Sequence, residues 1–150
     1  MEITKAKISD IPKLCVLLDS LFSQESEFEA NHEAQARGLT TVINDPNVGK
    51  IMIAKNSGEI IGMVNLLYTV STALGERVAL IEDMVVSSKG RGLGVGSKLL
   101  NHTLLFAKEM GCKRITLLTD HDNEGAHHFY QRHKFNRSSM VVFRRLLDAE

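Results

Sequence analysis

Ala79-Leu-Ile-Glu-Asp-Met-Val-Val-Ser-Ser-Lys-Gly-Arg-Gly-Leu-Gly-Val-Gly-Ser-Lys-Leu-Leu100 changes character twice along its length. It opens as an apolar, β-branched run, which reads as a buried strand. A small polar turn follows, then a loop with glycines at 90, 92, 94 and 96. From Val95 the apolar residues recur at helical spacing, through Leu99, Leu100, Leu104 and Ala107. The glycines therefore sit where a strand turns into a helix. The first N–H groups of a helix have no partner inside it and lie at the positive end of its dipole, which makes an anion site. Glycines let successive N–H groups converge and let a bulky phosphate approach the backbone. The stretch reads as a pyrophosphate cradle rather than a plain corner.

Spacing decides between cradles. A P-loop needs Gly-Lys followed by Ser or Thr, whereas this chain has Gly96-Ser97-Lys98. The dinucleotide fingerprint G-x-G-x-x-G, counted from Gly92, places Ser97 at its third glycine, and residues 111–119 hold no acidic residue to meet a ribose. What fits is Arg91-x-x-Gly94-x-Gly96 after a strand ending in Val86. This resembles the acyl-CoA-binding motif of the GCN5-related N-acetyltransferase (GNAT) family. A second stretch, Asn123-x-x-Ala126-x-x-Phe129-Tyr130, resembles the family's next motif. The resemblance covers essentially the whole chain, with its specific motifs between residues 82 and 135.

The bulk properties agree with a single enzyme-sized domain spanning residues 1–150. A chain of 150 residues buries a core without staples. Lys plus Arg equals Asp plus Glu at 18 each, so nothing favours a nucleic-acid surface or another polyanion. Cys15 and Cys112 lie in apolar text and read as small hydrophobes rather than a bridge. Neither a signal peptide nor a membrane span is visible. The expected setting is soluble, reducing and cytoplasmic.

In chain order, residues 2–7 read as a strand. A helix with N-cap candidates Ser9 and Asp10 follows, carrying Ile11, Leu14, Cys15, Leu18, Leu21 and Phe22. The acidic segment 24–29 lacks periodicity and reads as a loop. A weak helix is expected over 32–43. Strands at 50–55 and 59–70 are joined by Asn56-Ser57-Gly58, a hairpin signature. The helix after the glycine loop ends at Gly111, and residues 114–119 make the next strand. Then come a cap cluster at 120–123, a helix to about His133, and a last strand over 140–147. The expected fold is α+β in three layers: a mixed, mostly antiparallel central sheet flanked by helices on both faces, as in the GNAT fold.

The resemblance also implies a reaction: transfer of the acetyl group of acetyl-CoA, as co-substrate, to a primary amine by direct attack in a ternary complex. The phosphate grip would be the backbone of Arg91, Gly92, Leu93, Gly94, Val95, Gly96 and Ser97, with the Arg91 side chain supporting the loop or a phosphate. The pantetheine arm would pair with Met84, Val85 and Val86, exposed where a bulge splays the strand, and Asn123 would contact the same arm or its phosphate end. Glu82, or a chain of water, would deprotonate the amine, burial among Leu80, Ile81 and Met84 raising its pKa. Alternation sends Glu82 and Asp83 to opposite faces, and Asp83 ranks second. Tyr130 would protonate the departing thiolate, since a phenol stays protonated at neutral pH. Carboxylates at 24–29 would favour a cationic acceptor.

His121, His127, His128 and His133 crowd one region, yet no carboxylate or cysteine completes a ligand set, and no metal is expected. The family usually has Gly-Phe after the tyrosine, where this chain has Lys134-Phe135, so a different helix end is expected. Only one strand remains after residue 135, where many members of the family have two, so either the closing strand pair is shortened or a second copy completes the sheet edge in a homodimer. The rival reading is a non-catalytic acyl-CoA sensor or regulatory module of the same fold.

Overall fold

The computed structural model describes residues 1–23 and 30–147; the acidic segment 24–29 lies outside the described residues. The chain forms two compact units, Met1–Leu118 and Thr119–Glu150. The first is built on a five-stranded sheet in the order β1 (Glu2–Lys5), β2 (Gly49–Asn56), β3 (Glu59–Ser71), β4 (Glu76–Val86), β5 (Ile115–Leu117). The first four strands pair antiparallel, and β4 pairs with β5 in parallel. The mixed, mostly antiparallel sheet matches the expectation. Its β2–β3 turn is tight: Asn56 faces Glu59, and both Ser57 (φ 51°) and Gly58 (φ 80°) are left-handed, as a two-residue turn between right-twisted strands requires.

Three helices cover this sheet: α1 (Ile11–Phe22), α2 (His32–Asn44) and α3 (Val95–Glu109). Leu14, Leu17 and Leu18 of α1 and Leu39 and Val42 of α2 share a buried cluster with Ile51, Ile53, Met63 and Val85 of the strands. Alternation puts those four strand residues on one face of the sheet. Gly62, one residue before Met63, lies on the other face, where a Cβ would stand 3.3 Å from Leu99 Cδ2 and 3.5 Å from Val95 Cγ1 of α3. A bare backbone there lets α3 settle against the sheet. Gln35 ties α1 to α2, its amide donating to the Cys15 carbonyl and to Asp19. The N-terminus of α1 differs from expectation in detail. Asp10 is the N-cap residue but caps nothing, because its carboxylate accepts from the Lys7 N–H at 2.8 Å and shapes the preceding 3-10 turn.

The second unit holds α4 (Glu124–Arg132). Asn123 Oδ1 accepts from the Ala126 N–H at 3.1 Å, which caps the helix start. At the other end, Phe135 N–H reaches the Tyr130 carbonyl and Lys134 N–H the Gln131 carbonyl, with Lys134 at φ 68°. This is a Schellman ending with lysine where glycine is the usual residue. The helix thus ends as a glycine would end it, contrary to expectation, at the expense of backbone strain.

The strand expected over 140–147 is not formed. Met140, Val141, Val142, Phe143, Leu146 and Leu147 are all exposed, Phe143 at 94%. Strand propensity states what a segment could do; a strand also needs a pairing partner, and residues 140–147 pair with no strand among the described residues. Among the described residues no helix is long and apolar enough to cross a membrane.

Candidate active site

The centre of the first unit is a disturbance in β4. Asn65 faces Asp83 while the next residue, Leu66, faces Ile81, so Glu82 is an extra residue on β4. Such a bulge bends the strand and increases its twist. On its other side β4 pairs with β5 only at Ala79, Leu80 and Ile81. The two strands therefore part immediately before the bulge. Met84, Val85 and Val86 keep their partners on β3, opposite Val64, Met63 and Gly62, and among the described residues pair with no strand on the β5 side. This edge is where an extended ligand arm could add as a strand.

The two carboxylates at the bulge differ. Glu82 is exposed, so the burial expected for it is absent. Asp83 carries the perturbation instead. Burial pushes its carboxyl up to about 6, against a hydrogen bond from Asn65 Nδ2 (3.1 Å to Oδ2) that favours the charged form; the Glu82 charge adds to the rise. The extra residue puts Ile81 and Asp83 on opposite faces, where unbroken alternation would put them on one. Asp83 keeps phase with Val85 on the α1–α2 face, and Asn65 with Met63 on the same face. Asn65 went unnoticed in the sequence, although a lone amide inside Gly-Met-Val-Asn-Leu-Leu is itself a signal of a buried polar partner.

Beyond Val86 the chain enters the glycine loop. The Ser87 N–H donates to the Ile61 carbonyl, and Arg91 Nε donates back to the Val86 carbonyl at 3.3 Å. Lys89 reaches Glu59 at 2.8 Å, linking the loop to the β2–β3 turn. Gly92 (φ 81°) and Gly94 (φ 74°) are left-handed, with nothing within 4 Å of a Cβ on either. Gly94 is the N-cap of α3, and the first helical bond runs from Lys98 N–H to its carbonyl. The N–H groups of Val95 and Gly96 precede that bond. The Val95 side chain is buried and that of Leu93 exposed. The result is a helix start with open space over bare backbone, suited to phosphate.

In the second unit Tyr130 stands edge-on to Phe129 (centroids 5.2 Å) and to Phe135 (5.7 Å). Burial pushes its phenol up to about 12, so it stays protonated across the neutral range. Asn123 spends its Oδ1 on the helix cap. His127 bonds the Asp120 carbonyl at 2.9 Å and His133 packs on Phe129. Among the described residues no three His, Cys, Asp or Glu side chains form a metal-binding group. Cys15 and Cys112 are both free thiols.

Residues 14–135 match the acetyltransferase (GNAT) family. The chain belongs to that family. It is an acetyltransferase that transfers an acetyl group to an amine acceptor. It is 29% identical over 144 residues to the uncharacterized N-acetyltransferase YhfO of Bacillus subtilis, covering 95% of this chain and 94% of that one. It is 28% identical over 137 residues to the aminoalkylphosphonate N-acetyltransferase of Salmonella typhimurium, covering 91% and 86%. Its fold is similar to the crystal structure of a transcriptional regulator from Bacillus halodurans, at TM-score 0.84 and 27% identity over 97% and 99% of the two chains.

Proposed function

We propose that this GNAT protein uses acetyl-CoA and acetylates a primary amine by direct attack in a ternary complex. The parting of β4 from β5 beside an open, left-handed glycine loop carries this reading. Acetyl-CoA supplies the activated acetyl thioester; everything else falls to the chain. Gly92, Gly94, Val95, Gly96 and Ser97 would hold the phosphates through backbone and helix dipole, with Leu93 turned to solvent and Arg91 bracing the loop. The free edge at Met84, Val85 and Val86 would align the pantetheine arm, and Asn123 would contact it through the amide nitrogen its cap leaves over.

The acceptor amine must lose a proton, and the β4 bulge offers the carboxylates. Glu82, exposed there, would meet the amine directly or through water. Tyr130, held neutral, would return a proton to the thiolate. The two units would act as one domain, and the family match, which runs across their boundary, supports that. A homodimer is proposed on the exposed apolar segment 140–147, and a cytoplasmic setting on the two free thiols.

The deciding experiment is a calorimetric titration with acetyl-CoA, on the native chain and on Gly94→Glu. A side chain and negative charge in the cradle should abolish binding that the native chain shows. Failure of the native chain to bind would overturn the reading. A second reading, a silent acyl-CoA sensor, is favoured by the likeness to a structure described as a transcriptional regulator. Thiol release with a panel of amines separates the two, since a sensor binds without turnover.

A further inference from the structure

The Asn65 side chain presents a problem that the chemistry above leaves unused. The residue is buried, 7% exposed, and its Nδ2 donates to Asp83, yet its Oδ1 is buried with no hydrogen-bond partner among the described residues. A buried acceptor left without a donor is costly and rare enough to need a reason. Asp83 supplies one if it does not stay ionised. As a carboxylate it accepts from Nδ2. As a carboxylic acid it becomes a donor, and a half-turn of the Asn65 amide brings Oδ1 to receive its O–H.

We propose that Asp83 holds the proton given up by the acceptor amine and that Asn65 is its positioning residue, its amide serving the charged and neutral forms in turn. This rests on the acetyl-transfer reading. In the step, an amine N–H bond breaks and its electron pair stays on nitrogen. The proton arrives on Asp83, directly or through Glu82 and water, as a new O–H bond, and later returns to solvent at the bulge. Exposed Glu82 suits the meeting with the amine; half-buried Asp83 suits the retention of the proton.

The surroundings are consistent with a proton-holding group. On its own strand Asp83 faces the charge of Glu82, and across the ladder it faces only the Asn65 amide. From α1, packed on the same face, the titratable side chain buried is Cys15, itself pushed toward the neutral thiol by burial. The buried residues of α2, on the same face, are Gln35, Leu39 and Val42, and β5 contributes Ile115, Thr116 and Leu117, none of them charged. Among the described residues, the groups acting on the Asp83 charge are the Asn65 amide and the Glu82 carboxylate, neither of them a cation.

The test combines carboxyl-carbon NMR titration of the aspartates with pH–rate profiles. Asp83→Asn identifies the Asp83 signal. Asn65→Leu removes the bond to the carboxylate and should raise the Asp83 midpoint by about one pH unit. The acidic limb of kcat/KM should move up with it. Asn65→Ser, whose hydroxyl both donates and accepts, should bring both back toward native values. If the leucine variant does not fold, Asn65→Ala reads the same shift. Asp83→Asn should lower turnover roughly 10²-fold or more and remove the limb, whereas Glu82→Gln should lower the rate and keep it. A midpoint unmoved by Asn65 replacement, or a limb surviving in Asp83→Asn, would overturn the proposal. Absence of turnover in the native chain would overturn acetyl transfer and with it the source of the proton, while the titration would still decide the Asn65–Asp83 pairing.

Discussion

The Nε of Arg91 donates to the Val86 carbonyl at 3.3 Å, drawing the glycine loop back onto the end of β4. The arginine of the motif thereby acts on the loop's shape: its own strand holds it, five residues away. Arg91→Ala should loosen the loop without emptying it. One such hydrogen bond contributes about 1 kcal/mol, so acetyl-CoA affinity should fall roughly three- to tenfold. Calorimetry reads the loss; a fall beyond 100-fold would mean that Arg91 meets a phosphate itself.

Asp83 couples activity to stability. Its carboxyl lies above the ordinary value, so the folded chain binds more protons than the unfolded one between pH 4 and 6. Stability therefore falls as pH rises through that window, and the cost persists above it. At pH 7.5 the burden is on the order of 2–3 kcal/mol. Asp83→Asn keeps the shape and removes the charge, so it should raise the melting temperature at pH 7.5 while depressing turnover. Its advantage should vanish near pH 4. A variant less stable than native at pH 7.5 would count against a charge held in unfavourable surroundings.

Much of this was legible in the sequence because it depends on local rules. The glycine spacing located a strand-to-helix corner, the Asn-Ser-Gly turn fixed a hairpin, and apolar periodicity marked α1 and α3. What escaped depends on partners distant in sequence. No count along β4 reveals that Glu82 is a bulge residue, because a bulge is a mismatch with β3. Once alternation is broken there, burial passes to Asp83. Likewise the apolar, β-branched text at 140–147 has a strand's composition but pairs with no strand among the described residues, and sequence records only the first of these.

Tyr130 should act through its hydroxyl alone. Its phenol lies well above the neutral range, so no loss of activity up to about pH 10 should trace to its ionisation. Tyr130→Phe keeps the edge-on contacts with Phe129 and Phe135 and removes the donor. The expectation is a fall in kcat of roughly 10²-fold with acetyl-CoA affinity kept within a factor of about two. An unchanged kcat would remove Tyr130 from the acid's role.

Lys134 offers a test of the helix ending. At φ 68° it carries a Cβ where glycine has none to strain the backbone. Lys134→Gly should stabilise the chain by about 1 kcal/mol, visible as a higher denaturation midpoint at an unchanged m-value. A loss of stability would show that the lysine side chain makes a contact worth more than the strain.

The exposed segment at the chain's end predicts assembly. Six large apolar side chains between Met140 and Leu147 face solvent, a concentration that seldom persists uncovered. Their strand-forming composition suits addition to a sheet edge, and edges left open invite a second copy of the same chain. Light scattering should therefore report twice the mass of one chain. Val141→Glu combined with Phe143→Glu should halve that mass, because buried glutamates opposing one another across a two-fold interface are costly. A native protein that scatters as a single chain at micromolar concentration would remove the dimer.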